Sequence, residues 1–148
     1  MAPYTALAAR IVLATVWCWA GWAKFQDPGA SVEAVRAFRI LPEAQVAAFG
    51  YGIPALELCL ALMLSAGLRT RLAAVLSALL LVAFLAGIVQ AWARGLSIDC
   101  GCFGYGGEVD PGNTHYLQEV LRDLVLLALS SWLIRKPASA FSLDAALR

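Results

Sequence analysis

Charged residues are scarce in this sequence. Asp, Glu, Lys and Arg make up 14% of its 148 residues, whereas hydrophobic residues make up 61%. A soluble globular domain is about a quarter charged and about half apolar, so this composition excludes an ordinary soluble domain. The net charge is only +1, and the sequence has no basic tract. A nucleic-acid-binding function is therefore not expected.

Long stretches without charge show where the apolar residues are concentrated. Leu72–Ala93 has no charged residue over 22 positions, Val46–Leu68 has only Glu57, and Tyr4–Ala23 has only Arg10. A helix needs about 20 residues to cross a hydrocarbon layer about 30 Å thick. Each of the three stretches is therefore long enough to span a membrane.

A fourth apolar segment, Tyr116–Ile134, carries Glu119, Arg122 and Asp123 in its first half. Counting it, we predict an all-α integral membrane protein, a four-helix transmembrane bundle. The bundle forms a single domain over residues 1–148, with spans at approximately 5–24, 46–68, 72–94 and 116–134.

A short surface helix is predicted between the first two spans. Asp27 followed by Pro28 is typical of an N-cap with proline at the first helical position. Apolar residues from Val32 to Leu41 recur at helical spacing, opposite charged ones. This pattern is typical of an amphipathic helix lying on the membrane surface.

The distribution of Lys and Arg predicts the orientation. With four spans, both termini and the turn at Gly67–Arg71 share one side, which has six cations against five on the other. The two arginines of the turn and the Arg135–Lys136 pair decide the orientation, because they stand at membrane boundaries. We expect both termini to be cytoplasmic and the long loop after Gly95 to be extracytoplasmic, in the inner membrane of a bacterium. The cations assigned to the cytoplasmic side are Arg10, Arg69, Arg71, Arg135, Lys136 and Arg148.

Cysteine is also rare, with four in the chain, but two are separated by a single glycine in that loop. A disulfide between Cys100 and Cys102 requires a bend, which Gly101 permits. So small a ring is expected to be strained, and strained, exposed disulfides are the ones that exchange. The spacing therefore favours redox exchange over a structural crosslink. Because Asp99 adjoins Cys100 and a carboxylate disfavours a second negative charge nearby, we expect Cys102 to attack or be attacked first and Cys100 to resolve the mixed disulfide.

Two other interpretations of Cys100 and Cys102 stay open. Their thiolates could bind a soft metal ion, although a closed zinc site has four ligands and the single histidine, His115, is a dozen residues away. They could also be inert thiols in a turn. Cys18 and Cys59 lie within predicted spans, where a free cysteine usually acts as a small hydrophobic residue.

Glu57 stands in the middle of the second span, where an ionisable group suggests a function. Its plausible partners are Lys24 and Arg122, the alternative being a carboxyl group retained for packing. We expect a polar cavity beneath the cysteine loop. The residues predicted to surround it are Lys24, Glu57, Gln90, Arg122 and Asp123, with Asp99 and His115 as further polar residues nearby.

The chain has five tryptophans, at positions 17, 19, 22, 92 and 132. Tryptophan is enriched at membrane interfaces, so an interfacial belt is the expected role. A quinone site is the alternative, and quinone is the only cofactor that the sequence suggests.

Five motifs resemble the family of the methylamine-utilisation protein MauE, within the wider DoxX-like group of four-helix membrane proteins. The most specific is "DCGCFG" at 99–104. The others are "WAGWAKFQDP" at 19–28, "ILP" at 40–42, "IPALE" at 53–57 and "GLRTRLAA" at 67–74. The resemblance implies that Cys100 and Cys102 form the redox pair and that Lys24, Pro54 and Glu57 are the family's recurring helix residues. At 121–123, "LRD" stands where the family leads us to expect arginine followed by asparagine.

The resemblance also implies a redox-associated membrane protein that works with a thioredoxin-like, MauD-like partner. We therefore predict a thiol–disulfide oxidoreductase in contact with membrane lipid, supporting disulfide formation in a secreted client. That client would be methylamine dehydrogenase if the chain serves methylamine utilisation. The alternatives are a soft-metal binding or transport protein and a membrane scaffold without redox activity.

Overall fold

The computed structural model describes residues 1–103 and 106–147. Gly104, which ends the "DCGCFG" motif, and Arg148, counted for the orientation, lie outside the described residues. The structure is 76% helical. Its helices are α1 (Ala2–Gln26), α2 (Pro28–Ala37), α3 (Glu43–Ala66), α4 (Thr70–Ala93), α5 (Tyr116–Arg135) and α6 (Leu143–Ala146).

Three of these helices, α1, α3 and α4, are long and apolar enough to cross a membrane. The predicted fourth span corresponds to α5, a helix of 20 residues that packs along α4 and also contacts α1. Because α5 carries Glu119, Arg122 and Asp123, its composition does not by itself mark it as a membrane span.

Small residues let the helices approach closely. α1 packs along α3, where Gly21 lies so near Leu58 that a Cβ atom at residue 21 would come within 2.8 Å of that side chain. The main core is built from alanine and leucine of α1, α3, α4 and α5. Trp17 is also part of this core, and its indole Nε1–H donates to Ser77 Oγ on α4 over 2.9 Å.

The short helix predicted after Asp27 is confirmed as α2. Asp27 Oδ1 accepts a hydrogen bond from the backbone N–H of Ala30, which is the expected N-cap contact. Ser31 Oγ donates to the carbonyl of Gly50 over 2.6 Å and so fastens α2 to α3. A Cβ atom at Gly50 would lie 2.7 Å from Val32 Cα, so the two backbones are in close contact.

The long polar loop between α4 and α5 contains a hairpin that the sequence did not predict. Strands β1 (Ile98–Asp99) and β2 (Gly107–Glu108) pair antiparallel, with Ile98 opposite Glu108. Tyr116 at the start of α5 holds β1 in place, since its hydroxyl accepts from the N–H of Ile98 and donates to the carbonyl of Leu96. The two cysteines follow β1 directly.

The opposite end of the bundle is closed by the residues after α5. The N–H of Ala140 donates to the carbonyl of Pro3, and Asp144 accepts from the N–H groups of Arg69 and Thr70 at the start of α4. Arg10 is buried and donates to the carbonyl of Phe141 over 2.9 Å. These contacts bring the two terminal regions and the α3–α4 turn to one end of the bundle, with the cysteine loop at the other.

Candidate functional site

Cys100 and Cys102 are joined by a disulfide in the structure, with their Cα atoms 5.4 Å apart. Gly101 between them has φ +67°, in the left-handed region that glycine adopts without steric cost. A Cβ atom at Gly101 would lie 2.8 Å from both Ala34 Cβ and Gly106 Cα. The bend between the cysteines thus depends on glycine for its backbone angles and for its contact with α2.

A buried ion pair lies directly beneath Cys102. The ammonium group of Lys24 is 2.7 Å and 2.9 Å from the two carboxylate oxygens of Glu57, and the Glu57 side chain is fully buried. The same ammonium donates to the backbone carbonyl of Cys102 over 2.7 Å. The three N–H groups of the Lys24 ammonium thus link α1, α3 and the cysteine loop.

A second cation lies beside Cys100. Arg122 on α5 is paired with Asp123, with 2.9 Å between Nη2 and Oδ1, and its Nη2 is 3.9 Å from Cys100 Sγ. The guanidinium also stacks over Phe103 at 4.8 Å from the ring centroid, while Trp19 contacts the same ring at 5.3 Å. Arg122 therefore lies beside the sulfur of Cys100, whereas Lys24 contacts the backbone of Cys102. The ring of Phe103 covers the guanidinium of Arg122.

Glu119 belongs to this cluster and was missed as a site residue by the sequence analysis. It is buried, and its Oε1 accepts from the backbone N–H of Cys100 over 3.3 Å. The signal that could have identified it is its spacing, since residues 119 and 123 are four apart and share one face of α5. The second carboxylate oxygens of Glu119 and Asp123 are buried and accept no hydrogen bond from the described residues.

The structure brings together most of the residues singled out from the sequence, but not all of them. Lys24, Glu57, Arg122 and Asp123 gather below the cysteines, and Asp99 Oδ1 accepts from the N–H of Gly101. Gln90 lies elsewhere, because its amide bonds to the carbonyl of Phe38 and its oxygen accepts from Arg94. His115 is an exposed residue at the start of α5.

The expected polar cavity is closed by side-chain packing. The space between Glu57, Cys102, Arg122 and Asp123 amounts to about 10 Å³, which is at the lower limit of what a single water molecule requires. The ion pairs fill it.

The remaining cysteines and tryptophans divide differently from what the sequence suggested. Cys18 and Cys59 are free and exposed on the outer surface of the helices, rather than buried as small core residues. Trp19, Trp22, Trp92 and Trp132 are exposed, as an interfacial belt requires, whereas Trp17 is a core residue.

A large apolar cavity of about 510 Å³ lies on the other side of the cysteine pair. Its walls come from α2, α3 and α4, and Cys100, Gly101 and Cys102 form part of the lining. Lys24 is the one charged side chain among the described residues that line it. The disulfide thus lies between a charged cluster and an apolar cavity.

The described residues also include one set of side chains that could hold a metal ion. Ligand atoms of Asp99, Cys100 and Glu119 lie within 4.8 Å of one another. This set differs from the two-thiolate arrangement expected from the sequence, because Cys100 is the one cysteine in it.

Comparison with known proteins agrees with the features of this site. Searches of curated proteins and of solved structures gave no significant match. The sequence profile of the family described as methylamine utilisation protein MauE matches residues 2–136, which includes all four long helices and the cysteine loop. With its apolar helices and its Cys100–Cys102 pair at one end of the bundle, this chain is a membrane protein and belongs to the MauE family.

Proposed function

We propose that this protein is a membrane thiol–disulfide exchange protein whose Cys100–Cys102 disulfide takes electrons from a thioredoxin-like partner. The observation that carries the proposal is the placement of the Arg122 guanidinium 3.9 Å from Cys100 Sγ, while Lys24 is bonded to the backbone carbonyl of Cys102. Thiolates are the nucleophiles and leaving groups of disulfide exchange, and nearby cations stabilise them. An inert turn would have no need of a cation beside the sulfur of Cys100.

The exchange is balanced in two steps. A thiolate of the partner attacks one sulfur of the pair, the Cys100–Cys102 bond breaks, and the other cysteine leaves as a thiolate. The partner's second thiolate then attacks the partner's own sulfur in the mixed disulfide and releases the first cysteine. Two electrons pass from the partner, which becomes oxidised, to the pair, which becomes reduced. The oxidised partner can then form a disulfide in a secreted client.

The structure favours Cys100 as the sulfur that the partner attacks. The sequence favoured Cys102, because Asp99 adjoins Cys100 and a carboxylate disfavours a second negative charge nearby. In the structure the carboxylates of Asp99 and Glu119 lie within 4.8 Å of Cys100 Sγ, but Arg122 Nη2 lies closer, 3.9 Å away, and offsets their charge. Cys102 is only 7% exposed, whereas Cys100 is half-buried. We therefore reverse the two roles.

The proposal includes an arrangement in the membrane. We propose that α5 is a fourth span and that the chain is a single domain in the bacterial inner membrane. The end bearing the termini is then cytoplasmic, and the cysteine loop faces the extracytoplasmic compartment. What supports this is the packing of α5 against α4, together with the arginines near the α3–α4 turn. Disulfides persist in that oxidising compartment.

The test uses oxidised protein in detergent and reduced thioredoxin as the probe. Thiols are alkylated after an acid quench and counted by mass spectrometry. We expect Cys100 and Cys102 to gain two thiols as thioredoxin loses two. Reduced Cys102→Ser offered oxidised thioredoxin should accumulate a mixed disulfide, and Cys100→Ser should accumulate little. A disulfide that dithiothreitol reduces but thioredoxin leaves intact would contradict the proposal and favour a scaffold without redox activity.

Metal binding is the second candidate, favoured by the proximity of Asp99, Cys100 and Glu119. In the reduced protein Cys100 would offer a thiolate beside two carboxylates, an acceptable set for a divalent ion with a further ligand. Elemental analysis of reduced protein tests this. A stoichiometric metal that is absent from the Glu119→Gln variant would support the metal function, and metal-free protein would exclude it.

A further inference from the structure

The cavity beside the disulfide has the size and lining of a ligand site. Its volume of about 510 Å³ falls within the range of about 300–1,000 Å³ that is usual for small-molecule pockets. The lining is mostly aliphatic and aromatic, with Val35 from α2, Phe38 directly after it, Phe49 and Ile53 from α3, and Phe84 from α4. Such walls suit an apolar molecule, and they offer few partners to a nucleotide cofactor, which carries many polar groups.

The mouth of the cavity is itself apolar. Ile40, Phe49 and Leu56 belong to the lining and are 56%, 46% and 38% exposed. Phe49 and Leu56 lie on α3, a helix apolar enough to cross a membrane, so we expect these exposed side chains to face the hydrocarbon layer. A molecule dissolved in the lipid can therefore reach the cavity without passing through water.

The inner wall carries the redox group. Cys100 and Cys102 line the cavity, as does Lys24, whose ammonium group is bonded to the carbonyl of Cys102. A lipid acyl chain would fit the apolar walls, but it could not accept electrons from the cysteines. The occupant that fits both the lipid access and the neighbouring thiols is an apolar ring with two reducible carbonyl groups.

We propose that this cavity binds a membrane quinone, which reoxidises the Cys100/Cys102 pair. The inference rests on the proposed function, because the partner must first reduce the pair. The two thiols lose two protons and two electrons as the bond between their sulfur atoms forms. The quinone takes up both electrons and two protons at its carbonyl oxygens and leaves as the quinol. None of the five tryptophans lines the cavity, so this site differs from the tryptophan site that the sequence suggested.

Gly52 on α3 provides a substitution that fills the cavity. It lines the cavity, and a Cβ atom at this position meets no heavy atom within 4 Å. Gly52→Phe therefore adds a ring at the wall of the cavity without a clash at the backbone, and replacing glycine within a helix favours folding. Leu62→Phe is the matched control, because Leu62 is on the same helix, is 72% exposed and does not line the cavity.

The experiment follows a single turnover. Protein with Cys100 and Cys102 reduced to thiols is placed in lipid nanodiscs and mixed with ubiquinone-1. Quinol formation is followed by absorbance, and the protein thiols that remain are counted. We expect one quinol per disulfide formed. The rate of quinol formation should fall at least about tenfold in Gly52→Phe, because a quinone that cannot approach the thiols reacts slowly. The rate should be unchanged in Leu62→Phe. Equal rates in wild type and Gly52→Phe, or equal slowing by both substitutions, would overturn the proposal.

Two further readouts separate this inference from the proposed function. Exchange of oxidised Gly52→Phe with reduced thioredoxin should proceed at the wild-type rate. Protein that exchanges with thioredoxin yet forms no quinol would overturn the quinone site and leave the exchange function standing. Photolabelling of wild-type protein with an azidoquinone should modify peptides of α2, α3 and α4 that line the cavity. Labelling spread equally over the outer faces of α1 and α5 would also overturn the site.

Discussion

The guanidinium group of Arg122 lies 3.9 Å from Cys100 Sγ and is held there by Asp123, the next residue on α5. Asp123 is almost fully buried, whereas the Arg122 side chain is 28% exposed. Asp123 thus holds the Arg122 guanidinium from the buried side and leaves its other side free to face Cys100. α5 thereby supplies a positive charge to a sulfur atom that lies on a different element.

Arg122→Gln should make Cys100 a poorer nucleophile. A cation beside a thiol favours the thiolate form. A change of one unit in the pKa of a thiol changes its thiolate fraction at neutral pH about tenfold. We expect alkylation of reduced Cys100 by iodoacetamide at neutral pH to slow about tenfold in a Cys102→Ser background. Arg39→Gln is the control, since Arg39 pairs with Glu108 of the same loop and makes no hydrogen bond to the cysteines. Equal slowing by both substitutions would mean that the general charge of the loop governs the reactivity.

Removing either partner of the Lys24–Glu57 pair should destabilise the protein. The remaining charge would be buried without a counterion, which costs about 3–5 kcal/mol of the free energy of unfolding. We expect a lower midpoint of thermal unfolding in detergent for Glu57→Gln and for Lys24→Met, with most of the loss recovered in the double variant. Glu43→Gln, which breaks the exposed Arg36–Glu43 pair, should leave the midpoint unchanged.

The same variants separate stability from function. Because the double variant lacks the hydrogen bond from Lys24 to the Cys102 carbonyl, its exchange with thioredoxin should stay slow even where its stability is restored. Full exchange activity in the double variant would show that the ion pair serves packing alone.

Gly101→Ala should disturb the cysteine loop. Residue 101 has φ +67°, which costs a residue with a Cβ atom about 1–2 kcal/mol, and that atom would also clash with Ala34 and Gly106. We expect a smaller fraction of intramolecular disulfide by mass spectrometry after air oxidation. Gly112→Ala is the control, because a Cβ atom there meets no neighbour within 4 Å. A normal disulfide yield in Gly101→Ala would show that the loop can adopt another bend.

Labelling of intact cells tests the orientation. In a Cys18→Ser, Cys59→Ser background, a membrane-impermeant maleimide should label the reduced cysteine loop. It should not label Leu68→Cys in a chain that also lacks the loop cysteines. Leu68 lies in the α3–α4 turn at the opposite end of the bundle and is exposed, so a labelled Leu68→Cys in intact cells would invert the topology. Lysed cells, in which both sites should react, control for accessibility.

The sequence was most informative where a single residue type determines the local structure. Charge-free stretches located the long helices, and Asp27 before Pro28 located α2, because these signals depend on residues close together in the chain. Lys24 was one of two cations, with Arg122, that the sequence offered as a partner of Glu57, since a buried carboxylate within a span needs a partner, and the structure pairs Glu57 with Lys24.

Features that depend on contacts between distant segments were not predicted. The hairpin of Ile98–Asp99 and Gly107–Glu108 has strands of two residues, too short for any periodicity to be visible. Gln90 was assigned to the site by its depth alone, but its orientation around α4 directs it to Phe38 instead. The apolar cavity arises from how α2 lies across α3 and α4, and no residue pattern within a single helix shows it.

The hydrogen bond from Lys24 ends on the carbonyl oxygen of Cys102 and not on its sulfur. That oxygen is chemically the same whether the cysteine is a thiol, a thiolate or half of a disulfide. The backbone of Cys102 can therefore stay hydrogen-bonded to Lys24 while the disulfide is reduced and reoxidised. Any displacement that accompanies opening of the disulfide ring would then fall on Cys100. Cys102 would keep its position while Cys100 moves.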